Sequence, residues 1–87
     1  MGHIEETWYK ILLSAMGSAT LSEIASQGRL SNWQRLRRHV ELLVKASFLV
    51  RSRSVPNGPV KYSLTPKGEQ FKNLLACLIE ARRGIEA

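Results

Sequence analysis

SNWQRLRRHVELLVKA, residues 31–46, decides the fold, because a helical apolar stripe and the densest basic run of the chain coincide in it. At about 100° per residue, Trp33, Leu36, Val40, Leu43 and Val44 gather on one side of a helix, while Gln34, Arg35, Arg38, Glu41 and Lys45 point away. One face is expected to be core and the other to face something acidic. Ser31, with Gln34 three residues on, matches a capping box and is expected to start the helix.

The charge around this stretch is uneven. The chain of 87 residues carries a formal charge of +6 and an isoelectric point near 10.1. Between Arg29 and Lys61 stand eight basic residues (Arg29, Arg35, Arg37, Arg38, Lys45, Arg51, Arg53, Lys61) against one acid, Glu41. The remainder has five basic residues against six glutamates, so the whole excess sits in the central third. Such a concentration points to nucleic acid or an anionic membrane surface. The length allows one small domain with a modest core, for which a partner chain is an expected source of stability.

On the N-terminal side, IEETWYKILLSAM, residues 4–16, puts Ile4, Trp8, Ile11, Leu12 and Ala15 on one helical face. Tyr9, Leu13 and Met16 form a second apolar strip nearly opposite, covered either by a later segment or by a second copy. Gly17 is expected to stop this helix, and residues 18–20 to be a connector. Thr20 with Glu23 makes another capping box, opening a short helix over 21–27 that Gly28 breaks. Two helices separated by Gly28, Arg29 and Leu30, the second one basic, have helix-turn-helix spacing.

Beyond Ala46 the period changes. FLVRSRSV (48–55) and VKYSLT (60–65) are rich in β-branched and aromatic residues and flank PNGP, with Asn57-Gly58 as the expected tight-turn pair. A two-stranded hairpin with an open tip follows, since Pro56 and Pro59 deny ladder hydrogen bonds there. Arg51 and Arg53 share a face of the first strand and, with Lys61, are expected to present charge from one hairpin. Thr65-Pro66 reads as an N-cap and first helical residue. The last helix carries Phe71, Leu74, Leu75, Leu78 and Ile85 as its stripe.

The order helix, helix, basic helix, hairpin, helix resembles the winged helix-turn-helix transcriptional regulators. YSLTPKG (62–68) is similar to the junction that closes the wing in MarR, PadR and related groups. LRRHVELLVKASFLVRS (36–52) resembles a recognition helix and first wing strand, with Arg38-His39-Val40 close to an ArsR-like pattern, and SEIAS (22–26) resembles the preceding helix. Size and terminal helix look most like short archaeal or archaeal-virus regulators. The chain departs from the family at Ser47, where glycine commonly follows the recognition helix. It has only His3, His39 and Cys77 where metal-sensing relatives need several ligands.

The expected fold class is therefore α+β, mostly helical: a winged helix-turn-helix with three N-terminal helices, a two-stranded β-hairpin wing and a C-terminal helix. One domain is expected over 1–87, with 66–85 as a dimerisation helix. The resemblance implies double-stranded DNA as partner, a transcriptional regulator as function and a homodimer as assembly, with helix 31–46 in the major groove and wing 48–64 on the flanking backbone or minor groove. Asn32, Gln34, Arg35 and Arg38 suit base reading, because Arg matches guanine and Asn or Gln matches adenine bidentately. Arg29, Arg37, Arg51, Arg53 and Lys61 suit phosphates. Tyr9, Leu13 and Met16 with Phe71, Leu74, Leu75 and Leu78 are the expected dimer interface.

Trp8, Trp33 and His39 are expected to pack in or beside the core. Cys77 has no catalytic partner and no internal disulfide partner, which fits a reducing cytoplasm, and there are no aspartates and no phosphate-binding glycine loop. No enzyme activity, cofactor, metal, membrane span or small-molecule ligand is expected. Localisation is expected to be cytoplasmic and nucleoid-associated. The other readings of the same pattern are a winged-helix protein-interaction module and a nonspecific nucleoid or RNA binder.

Overall fold

The computed structural model describes residues 4–53 and 55–86; His3 lies outside them. Helix α1 (Ile4–Ser14) buries Ile11 and Leu12 completely, as its main stripe requires. It ends two residues earlier than expected and ahead of Gly17. The amides of Ala15 and Met16 reach Leu12 and Leu13 carbonyls at 3.1 and 3.4 Å, a tightened last turn that needs no glycine.

Helix α2 (Leu21–Gly28) opens on the expected capping box: the Glu23 amide donates to Thr20 Oγ1 at 3.2 Å and the Thr20 amide to Glu23 Oε1 at 2.8 Å. Gly28 does not break it. The left-handed step is taken by Arg29, φ 54°, and the amides of Arg29 and Leu30 return to Ser26 and Ala25 carbonyls at 3.3 and 2.9 Å.

Helix α3 (Trp33–Lys45) buries Leu36, Val40 and Leu43. Its N-cap is Asn32, not Ser31: Asn32 Oδ1 accepts the Arg35 amide at 3.1 Å, which leaves Ser31 one residue outside and removes the expected Ser31/Gln34 box. Trp33 is on the predicted stripe, yet 45% exposed, because the core under that stripe begins only at Leu36. The end of α3 is a Schellman arrangement with Ser47 at φ 68°. The amides of Ser47 and Phe48 bond Val44 and Leu43 carbonyls at 3.0 and 2.9 Å. The position where the family commonly has glycine is thus left-handed here as well, at a cost of about 1 kcal/mol for the serine Cβ.

The sheet has three antiparallel strands in the order β1-β3-β2, not the expected two: β1 (Ala19–Thr20), β2 (Leu49–Ser52) and β3 (Lys61–Leu64). The connector before α2 supplies β1, too short to show a period of two. Both hairpin strands are shorter than the sequence pattern, and the turn is centred on Pro56-Asn57, not Asn57-Gly58. The Gly58 amide bonds the Val55 carbonyl at 3.0 Å, and neither Asn57 nor Gly58 has positive φ. Proline second and glycine fourth is the pattern of a type I turn, which explains the composition equally well.

Helix α4 (Pro66–Glu86) is capped by Thr65, whose Oγ1 accepts the Gly68 amide at 2.9 Å and donates to the Ser47 carbonyl at 2.6 Å. Lys67 Nζ adds a bond to the Ala46 carbonyl at 3.1 Å, so the start of α4 is fastened to the end of α3. The expected single stripe of α4 is two faces. Leu75 and Ile79 are buried and Phe71 packs on the core, whereas Leu74, Leu78 and Ile85 are exposed. Ile79 was absent from the expected stripe, although Phe71, Leu75 and Ile79 repeat every four residues. Glu5 of α1 pairs with Arg82 of α4, and Phe71 stacks on Phe48 at 4.2 Å between ring centroids.

Candidate nucleic-acid interface

The side of α3 turned away from Leu36, Val40 and Leu43 is centred on Arg38, with Gln34 and Lys45 on one flank and Arg35 on the other; all four are exposed. Among the described residues, Glu41, the acid that shares this side of the helix, lines the cleft beside Arg37 and makes no ion pair with Arg35, Arg38 or Lys45. Arg37 is turned toward the sheet, where it lines a cleft of about 360 Å³ with Leu21, Glu41, Val60 and Tyr62.

Arg29, Asn32 and Arg35 come together at the front of α3. They line a recess of about 230 Å³ with Thr7, Ser31 and His39. The left-handed backbone of Arg29 brings its side chain there, a placement that helix-turn-helix spacing alone does not show. Asn32 is engaged through Oδ1 in capping α3. The cap uses one of the two lone pairs of Oδ1 and leaves the NH₂ group free, so a bidentate contact with adenine would share that oxygen with the cap. Thr7 of α1 was not anticipated, and nothing in its sequence context marks it.

On the wing, register separates what the sequence grouped. Arg51 stands opposite Tyr62, and Lys61 opposite Ser52 and Thr20, so Arg51 and Lys61 occupy opposite faces of the sheet. Lys61 is half-buried in the central strand, beside the Glu23 carboxylate, which its charge helps to hold below the usual carboxylate range after the hydrogen bonds from Thr20. Arg53 lies past the end of β2 and donates to the Pro56 carbonyl at 3.1 Å, stiffening the tip it projects from. Arg51 and Arg53 are exposed.

His39 is half-buried at the border of the α3 core stripe, and its Nδ1 accepts the Trp8 indole N–H at 3.0 Å. A nitrogen that accepts is unprotonated, so the neutral ring carries its proton on Nε2. Loss of hydration lowers the His39 pKa, and the cations of Arg35 and Arg38 lower it further. The packed, neutral histidine expected from the sequence is what the structure contains. Trp8, also packed as expected, touches Phe71 at 5.9 Å between centroids and thereby joins α3 to α4.

Of the apolar residues assigned to a subunit interface, Leu75 is buried in the chain's own core, and Phe71 and Tyr9 pack against it. Leu13, Met16, Leu74 and Leu78 remain exposed on α1 and α4. Among the described residues, no helix is long and apolar enough to cross a membrane. No cluster of His, Cys, Asp or Glu among them is suited to a metal ion.

A helix-turn-helix followed by a hairpin whose second strand pairs back to a strand ahead of α2 is a winged helix-turn-helix, of the kind found in MarR-like regulators. Sso10a-2, a DNA-binding protein from Sulfolobus solfataricus, matches with a TM-score of 0.88 at 18% identity, over 98% of this chain and 86% of its own. ZitR of Lactococcus lactis, solved in complex with DNA, matches with a TM-score of 0.69 at 20% identity, over 93% of this chain and 56% of its own. A MarR family transcription regulator matches at 0.72 and 20% identity, over 97% of this chain and 56% of its own. This chain therefore spans little more than half the length of the last two. At such identities the likeness establishes the fold. No protein-family model matches the sequence, and no curated protein matches it significantly.

Proposed function

We propose that the protein binds double-stranded DNA sequence-specifically as a homodimeric transcriptional regulator, with α3 in the major groove and the wing on the flanking backbone. The observation that carries this reading is the exposed face of α3, where Gln34, Arg35 and Arg38 stand in no ion pair among the described residues, on the helix that a helix-turn-helix inserts. Arg38 and Arg35 are the base readers, Gln34 an adenine reader, and Arg29, Arg37, Arg51 and Arg53 phosphate contacts. Lys61 contributes from the other face of the wing root, and Asn32 is an adenine reader whose Oδ1 also caps α3.

The fold neighbours described as DNA-binding, one of them in a DNA complex, support the class of partner. None of those descriptions is of an enzyme, in keeping with the lack of a catalytic constellation in the sequence. The subunit contact is assigned to Leu13, Met16, Leu74 and Leu78, and residues 66–85 act as the dimerisation helix of a single domain. Residence on cytoplasmic DNA follows from the same reading.

The deciding experiment is selection of bound duplexes from a random pool, followed by affinity against salt. Four phosphate contacts per protomer make eight per dimer and predict a slope of roughly −7 in log K against log salt. A flat salt response refutes DNA binding and favours a protein-interaction module. A steep response without an enriched sequence makes the protein a nonspecific coat.

A further inference from the structure

Leu42 lies on the basic face of α3, outside the hydrophobic core. It is 48% exposed and belongs neither to the buried core nor to the apolar residues packed on it. Single exposed leucines are ordinary on protein surfaces. This one is unusual in its company: Arg35 and Arg38 precede it and Lys45 follows it at helical spacings of seven, four and three, with no other apolar side chain in that strip. A polar residue there would keep the face soluble at no cost to the core.

We infer that Leu42 is a specificity residue that packs against the 5-methyl group of thymine in the major groove. The inference rests on the DNA-binding reading above. The thymine methyl is the one apolar feature that base edges present in that groove, and an apolar side chain is what recognises it. Leu42 stands about 6 Å from Arg38 along the helix axis. That is roughly two base-pair steps, so an arginine on guanine and a leucine on thymine fit one half-site without competing. Burying the leucine against the methyl removes from water an exposed apolar surface that the free protein has no other means to cover.

The test uses the full chain and duplexes in which thymine is replaced by deoxyuridine, which deletes the methyl and leaves every hydrogen-bonding group. Wild type should lose about threefold to fivefold in affinity per contacted methyl, the size of one buried methyl-sized group. Leu42→Ala should bind the thymine duplex more weakly and discriminate thymine from uracil no longer, while its thermal unfolding stays within about 2 °C of wild type, as for other exposed sites. Wild type indifferent to the replacement, or Leu42→Ala retaining the full thymine preference, overturns the inference with DNA binding intact. Absence of salt-dependent duplex binding by wild type overturns both readings, and is recognisable because no duplex of either kind is then bound.

Discussion

A Cβ placed on Gly68 would lie 2.0 Å from the carbonyl oxygen of Phe48. This contact explains the glycine in the YSLTPKG stretch: the first turn of α4 runs directly over the backbone that links α3 to β2. The Thr65 hydroxyl and the Lys67 ammonium bond the carbonyls of Ser47 and Ala46 in the same place. Gly68→Ala must push α4 away from this junction and break those bonds. The expected result is a destabilisation of about 2 kcal/mol or more in urea unfolding, at the upper end for inserting one methyl group. Unchanged stability would mean that α4 is not seated where the structure has it.

The Trp8–His39 hydrogen bond predicts an acid-sensitive fold. The folded state lowers the His39 pKa, so below about pH 6.5 the unfolded chain takes up a proton that the folded chain resists. The contribution is therefore complete above the unfolded value and is lost as pH falls through the lower folded one. Unfolding midpoints measured from pH 7.5 down to pH 5 should decline, and His39→Gln should flatten that part of the curve. An equal decline in both proteins assigns the sensitivity elsewhere.

How much of this was legible beforehand depended on the range of the signal. The capping box at Thr20 and the stripe of Leu36, Val40 and Leu43 are local, and both stand where the pattern put them. The tryptophan at 33 has the right phase and the wrong environment, because phase says which way a side chain points and not where the core ends. Strand β1 was invisible, since two residues have no period and exist as a strand only through Tyr62 and Lys61. For the proposed interface, charge density singled out α3, whose basic residues are exposed, while the sidedness of Arg51 and Lys61 needed the register that pairs them with Tyr62 and Ser52.

Arg38 and Arg53 separate reading from holding. Arg38 is central on the exposed face of α3, so Arg38→Ala should reduce discrimination between the selected duplex and a scrambled one by about tenfold, within the ~1–3 kcal/mol of one base contact. Arg53 projects from the wing tip, so Arg53→Ala should weaken both duplexes alike and lower the salt slope by about one per protomer, about two for the dimer. Titrations of both variants on both duplexes measure this. Equal, sequence-independent losses from the two substitutions would leave only nonspecific binding.

The outer face of α4 offers the separate test of assembly. Leu74 and Leu78 are 64% and 54% exposed, one turn apart, and Leu13 and Met16 are exposed on the neighbouring helix α1. Isolated apolar side chains need no explanation, but two exposed leucines one turn apart make an apolar strip along α4 that is costly to leave in water. Leu74→Glu combined with Leu78→Glu puts two charges into that strip without touching Leu75 or Ile79, so the protomer should stay folded by circular dichroism. Light scattering at micromolar concentration should then give a dimer for wild type and a monomer for the variant. Affinity for a two-half-site duplex should fall by at least tenfold, because the second half-site is no longer held near the first. A monomeric wild type ends the dimer proposal. A variant that stays dimeric moves the interface to another face of the chain.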